Sequence, residues 1–267
     1  MLICPNCGLE LTRQNNTMRC ARNHSFDIAA AGYCNLLTGS KPGDFIGDSK
    51  EMVAARRHFL DSGAYEPLRK ALCETVLKNA PEASVSVLDA GCGEGYYAGN
   101  LLKNRESVKV AFDISREAVQ LGAQRYEDVT FIVADLKRIP LPSHSVDCVL
   151  DVLTPADYSE FTRVLKKNGC VIKAIPGESY LKELRALAQE QLRSGPYESG
   201  RVKDYFAEHM RPVQHDRVTY TLPVTPDEAR AFARMTPMLQ RVDVEALDLS
   251  GVREITIDME LLVGKKK

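Results

Sequence analysis

The sequence lacks any uninterrupted apolar run near the roughly 20 residues that a membrane-spanning helix requires, so a membrane-embedded helical protein is excluded. It also lacks a charge surplus: 35 Lys and Arg stand against 36 Asp and Glu, a formal net charge of −1. Such a chain does not hold nucleic acid by bulk charge, and any affinity has to come from a local basic face. No internal repeat is visible. The opening Met1-Leu2-Ile3-Cys4-Pro5 has neither the basic start nor the long apolar stretch of a secretory signal. A cytoplasmic chain with reduced thiols is therefore expected.

What remains is ordinary material for a folded protein: 267 residues, 44% hydrophobic and 27% charged, enough for one sizeable α/β domain with a small appendage. The eight cysteines need a role other than disulfides. Cys4, Cys7 and Cys20 crowd the N-terminus, while Cys34, Cys73, Cys92, Cys148 and Cys170 are scattered. Of these, Cys73, Cys148 and Cys170 fall in apolar runs and are expected in the core.

The spacing Cys4-x2-Cys7-x12-Cys20-x3-His24 sets two ligand pairs on two turns, the arrangement that fills the four corners of a zinc tetrahedron. Four protein ligands leave no open position, so the expected metal is structural. Residues 1–35 hold too little apolar material for a core of their own, which is where a metal contributes most. Arg13, Arg19 and Arg22 sit within this segment, with no acidic residue between Leu11 and Phe26. Over residues 1–72, nine basic residues oppose seven acidic ones. Charge alone leaves two readings open, a solvated knob and a small phosphate-contacting platform.

Three parts are expected: a zinc-binding module over 1–37, a linker with helices over 38–78, and a catalytic domain over 79–267. Thr38 to Asp44 is rich in Gly, Pro and Ser and reads as a loop. Asp48 or Ser49 could cap a helix carrying Met52, Val53, Phe59 and Leu60, broken at Ser62-Gly63 and followed by a second helix over Tyr65–Leu77. Further on, short apolar runs at 85–89, 108–113, 129–135, 146–151 and 170–175 alternate with helical patterns at 96–102, 115–126 and 156–165. Such βαβ spacing predicts a largely parallel sheet. A long helix over Tyr180–Leu192, a strand over Arg217–Leu222, a helix over Thr225–Met235 and a strand over Arg253–Val263 are expected after it, with Lys265-Lys266-Lys267 as a solvated tail.

The most informative stretch is Asp89-Ala-Gly91-Cys-Gly93-Glu94-Gly95-Tyr96. Glycines after a strand allow a tight turn and let a ligand approach bare backbone. The pattern departs from the dinucleotide fingerprint, with Tyr96 where a third glycine would fall. Asp113 ends the next strand, near where a ribose-binding carboxylate belongs, and Asp135 ends the third, placed to meet an adenine amino group.

Asp89-Ala-Gly-Cys-Gly-Glu-Gly, Phe112-Asp113-Ile-Ser and Ala134-Asp135-Leu together resemble the motifs of class I S-adenosylmethionine-dependent methyltransferases. A finer likeness is to the RlmA family of bacterial 23S rRNA guanine-N1 methyltransferases. It is carried by the Cys/His set, Phe26-Asp27, Gly32-Tyr33-x-Asn35-Leu36-Leu37, Pro42-Gly43-Asp44, Ala55-Arg56-Arg57-x-Phe59-Leu60-Asp61-x-Gly63-x-Tyr65-x-Pro67-Leu68 and the glycine turn. The resemblance implies a Rossmann-like domain with a mostly parallel seven-stranded sheet behind the zinc module. It implies methyl transfer from S-adenosylmethionine to guanine N1 in a hairpin loop of 23S rRNA, one structural zinc on Cys4, Cys7, Cys20 and His24, and a homodimer. Tyr65, Gly93 and Glu94 match cofactor-contacting positions. Tyr180 replaces a cofactor-contacting histidine in Pro176-Gly177-Glu178-Ser179-Tyr180, and Asp151-Val-Leu-Thr154-Pro155 departs from an aromatic-Ala-Pro sequence beside the methyl-transfer centre.

Guanine N1 carries a proton near neutral pH, so its attack on a methyl sulfonium needs a proton acceptor. Asp151 and Asp157 are the candidates by position, each equally readable as an ordinary solvated acid. There is no Pro-Cys pair, as a covalent cytosine-C5 mechanism would use, and no Asn/Asp-Pro-Pro-aromatic, as exocyclic amino methylation would use. A small-molecule methyltransferase with a purely structural zinc, and a catalytically silent RNA-binding relative, are the alternative readings. His58 reads as part of a basic helix face, and His144, His209 and His215 have no evident partners in the sequence.

Overall fold

The computed structural model describes residues 2–38, 50–189, 191, 199–239 and 242–267. The expected loop after Thr38 and the cap at Asp48 or Ser49 lie outside the described residues. The chain opens with a small antiparallel sheet of β1 (Thr12–Gln14), β2 (Thr17–Arg19) and β3 (Ser25–Asp27). Asn15 and Asn16 make the two-residue turn between the first two strands, and Asn15 takes a φ of 54°, a left-handed conformation that Asn tolerates well. The two-residue β4 (Cys34–Asn35) follows.

Next come α1 (Lys50–Asp61) and α2 (Glu66–Asn79), then β5 (Val85–Ala90), α3 (Tyr96–Asn100), β6 (Ser107–Asp113), α4 (Arg116–Arg125) and β7 (Val129–Val133). The second half holds β8 (Val146–Val152), α5 (Tyr158–Val164), β9 (Leu165–Pro176), α6 (Lys182–Leu187), α7 (Gly200–His209), β10 (Arg211–Pro223), α8 (Pro226–Met235) and β11 (Glu254–Lys265). The large sheet runs β10-β11-β9-β8-β5-β6-β7-β4; its strands are parallel from β9 to β4 and antiparallel at β11 and β10. Both β5 and β8 are buried along their whole length, as strands covered on two faces must be. The chain winds from β5 outward to β7, then returns to β8 on the other side of β5. That reversal opens a crevice at the carboxyl ends of β5 and β8, where open α/β sheets bind ligands.

The sheet has eight strands, not the seven expected. The additional strand is β4, which pairs parallel with β7 through Cys34–Ile132 and Asn35–Val133 and continues with Leu36 N donating to Val133 O (2.8 Å). A two-residue strand carries no period that sequence patterning could detect. Through it the N-terminal segment joins the sheet edge, and Leu2, Cys4, Leu11, Cys20 and Leu36 share one apolar cluster with Val149, Phe161 and Phe206. On the opposite side Phe59, Leu68, Leu72, Leu184 and Phe232 share a second cluster, with the rings of Phe59 and Phe232 3.7 Å apart.

Several expectations in the second half need correction. The helix expected from Tyr180 begins at Lys182, because Leu181 takes a left-handed φ of 51° while its N–H is held by Thr256 O (2.8 Å). It ends at Leu187, and residues 192–198 lie outside the described residues. The strand expected over Arg217–Leu222 starts at Arg211. Its first half, Arg-Pro-Val-Gln-His-Asp, lacks an apolar alternation, yet it pairs with β11 from Lys265 onward, with a bulge between Pro212 and Gln214. The lysine tail is docked: Lys265 pairs with Arg211 and Cys170, and Lys266 Nζ donates to Leu165 O (2.5 Å). The three histidines without evident partners all have them. His144 Nδ1 lies 3.1 Å from Leu165 O, His215 Nε2 lies 2.7 Å from Glu260 Oε2, and the His209 ring stacks on Tyr158 at 5.3 Å.

Candidate functional site

Two tight turns build the cysteine-histidine cluster. In the first, Gly8 N donates to Cys4 O (2.8 Å) with Gly8 at φ 73°; in the second, Asn23 N donates to Cys20 O (2.9 Å) with Asn23 at φ 63°. They bring Cys4, Cys7, Cys20 and His24 together, all ligand atoms within 4.8 Å of one another. Cys4 Sγ lies 3.5 Å and Cys20 Sγ 3.4 Å from His24 Nδ1, and the sulfurs of Cys7 and Cys20 are 3.6 Å apart. A zinc tetrahedron with its usual bond lengths has edges of about 3.5–3.8 Å, so this three-sulfur, one-nitrogen set fits a structural zinc through Nδ1. Arg13, Arg19 and Arg22 are exposed around it.

The glycine turn lies at the end of β5, inside the crevice. Gly91, Gly93 and Gly95 all take positive φ (67°, 55° and 70°). A side chain at Gly91 would come within 2.4 Å of Thr154 Oγ1, and one at Gly95 within 2.5 Å of the Phe131 ring. These two glycines are fixed by close approach to the loop after β8 and to β7. Gly93 has open space above it, the cradle a ligand would fill. Asp113 ties the turn to β6, accepting from Gly93 N and Ser115 N, both at 2.8 Å. Asp135 lies two residues past the end of β7, where it caps a short turn and accepts from Lys137 N (2.9 Å).

Asp89 is buried beneath the turn, where it accepts from Ala98 N (3.2 Å) at the start of α3. Burial, reinforced by the charges of Asp113 and Asp151, pushes its carboxyl up to about 7. Glu94 receives Arg57 Nε from α1 (2.7 Å), while its other oxygen, Oε1, is buried with no partner among the described residues. That orphaned acceptor and the space over Gly93 fit the polar cofactor that the glycine turn implies. Tyr65 and Tyr180 are both buried, and their hydroxyls lie 3.0 Å apart. The turn carrying Tyr180 is tied down by Asp258, which accepts from Ser179 N (2.9 Å), Thr219 Oγ1 (2.8 Å) and Arg217 Nη2 (2.6 Å).

Asp151 and Asp157 occupy contrasting places. Asp157 caps α5, accepting from Ser159 Oγ (2.6 Å) and Glu160 N (3.1 Å). Asp151 is fully buried at the end of β8. Its Oδ2 accepts from Lys173 Nζ (2.7 Å), and Lys173 also donates to Thr154 O (2.9 Å), while Oδ1 has no partner among the described residues. Burial outweighs the neighbouring ammonium and pushes the Asp151 carboxyl up to about 7. Sequence reasoning missed Lys173, Arg57 and Tyr158. For Lys173 a signal existed, since parallel pairing of β8 with β9 sets it directly opposite Asp151.

Residues 2–40 match the zinc-ribbon family described as RlmA, N-terminal, and residues 87–169 match a methyltransferase domain family. The chain is 31% identical to the 23S rRNA (guanine(748)-N(1))-methyltransferase of Streptomyces fradiae, over 98% of this chain and 95% of that one. It belongs to the RlmA-type methyltransferase family. YxjB of Bacillus subtilis strain 168, described as a candidate 23S rRNA (guanine-N(1)-)-methyltransferase, is a 29% identical relative, with 100% of this chain and 97% of YxjB covered. Solved structures agree on the fold. A chain from the complex of the Haloferax volcanii Trm112 methyltransferase activator with its methyltransferase partner is 18% identical and covers 83% of this chain and 99% of that one, at a TM-score of 0.53. A SAM-dependent methyltransferase of Thermotoga maritima is 16% identical, covering 81% and 97%, at a TM-score of 0.50. The RlmA-type domain therefore uses S-adenosylmethionine, and its zinc ribbon holds the Cys/His cluster. Among the described residues, no helix is long and apolar enough to cross a membrane.

Proposed function

We propose that the protein methylates N1 of a guanine in a hairpin loop of 23S rRNA, working in the cytoplasm as a homodimer. The observation that carries this reading is the likeness to the Streptomyces fradiae enzyme, which spans zinc ribbon and catalytic domain together. A small-molecule methyltransferase would have no need of an arginine-bearing ribbon joined to its catalytic sheet. Exposed Arg13, Arg19 and Arg22 offer phosphate contacts on a chain with no bulk positive charge.

When bound, the cofactor would supply an activated methyl group whose bond to the sulfonium sulfur breaks as the N1–C bond forms, leaving a neutral thioether. Gly93 would give its amino-acid end bare backbone to lie against, in a turn whose shape Gly91 and Gly95 set. Tyr65, Glu94 and Tyr180 would line the same end, Asp113 would receive the ribose hydroxyls, and Asp135 would meet the adenine. Asp89 acts from beneath by holding the first turn of α3. Asp151 Oδ1 takes the proton that guanine N1 gives up as the N1–C bond forms; Asp157, engaged as a helix cap, stays outside the chemistry. Transfer of labelled methyl from S-adenosylmethionine to unmethylated 23S rRNA tests the reading. A reverse-transcription stop should follow at one guanine, because N1 methylation blocks the pairing edge. Label on a metabolite instead of RNA would sink it.

A further inference from the structure

Among the described residues, three buried side-chain polar atoms have no hydrogen-bond partner: Glu94 Oε1, Asp151 Oδ1 and Tyr158 Oη. Buried polar groups are satisfied in the great majority of cases, so each vacancy calls for a reason. Glu94 belongs to the glycine turn and the cofactor. The other two lie at the two ends of the segment 151–158, which runs from β8 into α5 and touches the glycine turn through Thr154. Tyr158 is 3% exposed, so bulk solvent does not reach its hydroxyl. Burial and the nearby charge of Asp151 hold the phenol well above its ordinary range, which keeps it a proton donor at neutral pH.

Around Tyr158 lies an aromatic group drawn from α7. Its ring is 5.5 Å from Tyr205, 5.3 Å from His209 and 5.8 Å from Phe206. Phe206 is core, but Tyr205 is 49% exposed and His209 is exposed, with their rings 4.3 Å apart. Exposed rings packed on Tyr158, at the end of the segment that leaves β8, suit an unstacked nucleobase, because RNA-modifying enzymes receive single-stranded bases on aromatic faces and read their pairing edges by hydrogen bonds.

We propose that Tyr158, Asp151 and Tyr205 form the pocket that selects the target guanine. The pairing edge of guanine presents two donors, N1–H and the N2 amino group, beside one acceptor, O6. Asp151 Oδ1 supplies the acceptor facing N1–H, the Tyr158 hydroxyl donates to O6, and the face of Tyr205 stacks on the ring as it swings aside to admit the base. Adenine offers no N1 proton to Asp151 and presents an amino group to Tyr158, so it is rejected by unpaired polar groups on both sides. This inference rests on the reading that the chain methylates guanine N1.

Tyr158→Phe is the decisive variant, since the hydroxyl it removes has no partner among the described residues. Its melting temperature and S-adenosylmethionine affinity should match or exceed those of the wild type. Its kcat/KM for an unmethylated 23S rRNA hairpin should fall by about tenfold or more, the value of one lost hydrogen bond. Tyr205→Ala, a change on the surface, should raise KM for the hairpin while leaving cofactor affinity intact. Wild-type kcat/KM in both variants would overturn the pocket and leave the guanine-N1 reading standing. Failure of the wild type to methylate guanine N1 in any 23S rRNA fragment would overturn both.

Discussion

Asp151 and Asp157 stand six residues apart, one near the end of β8 and the other capping α5, yet meet opposite surroundings. Asp157 spends its carboxylate on the first turn of α5, which holds its carboxyl below the usual range despite partial burial. Among the described residues Asp151 has one oxygen without a partner and is pushed up to about 7 by burial, with Lys173 bonded to the other oxygen and Asp89 and Tyr158 as further titratable neighbours. The sign follows from an ordinary carboxyl near 4. Between about pH 4 and 7 the folded chain holds this proton while an unfolded one has released it, so Asp151 weakens the fold as pH rises through that window. In the role proposed for Asp151 its unprotonated form accepts the N1 proton, so kcat should climb with pH to a plateau above an apparent pKa near 7. Asp151→Asn should keep cofactor affinity, lower kcat by about 100-fold or more, and flatten that limb. A wild-type pH profile in the variant would remove Asp151 from the chemistry.

Gly91 offers a test of the same kind. Gly91→Ala brings a methyl group within 2.4 Å of Thr154 Oγ1 at a positive φ of 67°. A destabilisation of about 1–3 kcal/mol is expected from that overpacking and strain, together with weakened cofactor binding measured by calorimetry. At this scale the sequence was informative about residue type and silent about partners. The cysteine spacing points to the four-residue cluster that the fold brings together, and the strand pattern places Asp113 at the end of β6. Nothing local announced that Arg57 reaches Glu94, because 37 residues separate them. The orphaned hydroxyl of Tyr158 was equally hidden, since an absent partner leaves no mark on a sequence.

Among the elements, β4 matters most for its length. Its pairing with β7 links the zinc ribbon to the strand that leads into Asp135. Removing zinc with a chelator should release the turns at Cys4–Cys7 and Cys20–His24. In hydrogen exchange, amides of residues 12–36 should then lose protection, including Leu36 N on Val133 O, while β5, β6 and β8 keep theirs. Unchanged protection of the ribbon after chelation would mean that the metal is not what holds it. The central strands were legible because each is an apolar run buried on both faces. The eighth strand, the early start of β10 and the late start of α6 were not, for each depends on a remote partner: β7, β11 and Thr256 respectively.

Over the whole molecule, near-zero net charge conceals a division of labour. The ribbon presents exposed arginines and the crevice collects carboxylates, so on the proposed function RNA and cofactor would be held by different chemistry, with the ribbon and the sheet sharing one apolar cluster. Cys4→Ser or His24→Ala should therefore weaken binding of a 23S rRNA hairpin more than binding of S-adenosylmethionine. Equal loss of both would reduce the zinc to a structural prop. The central claim, guanine-N1 methylation of 23S rRNA, is tested most directly by the product. Unmethylated 23S rRNA is incubated with the protein and S-adenosylmethionine, digested to nucleosides, and resolved by mass spectrometry against standards. The account predicts 1-methylguanosine at no more than one residue per rRNA; a methyl group on another nucleoside, or none on RNA, would contradict it.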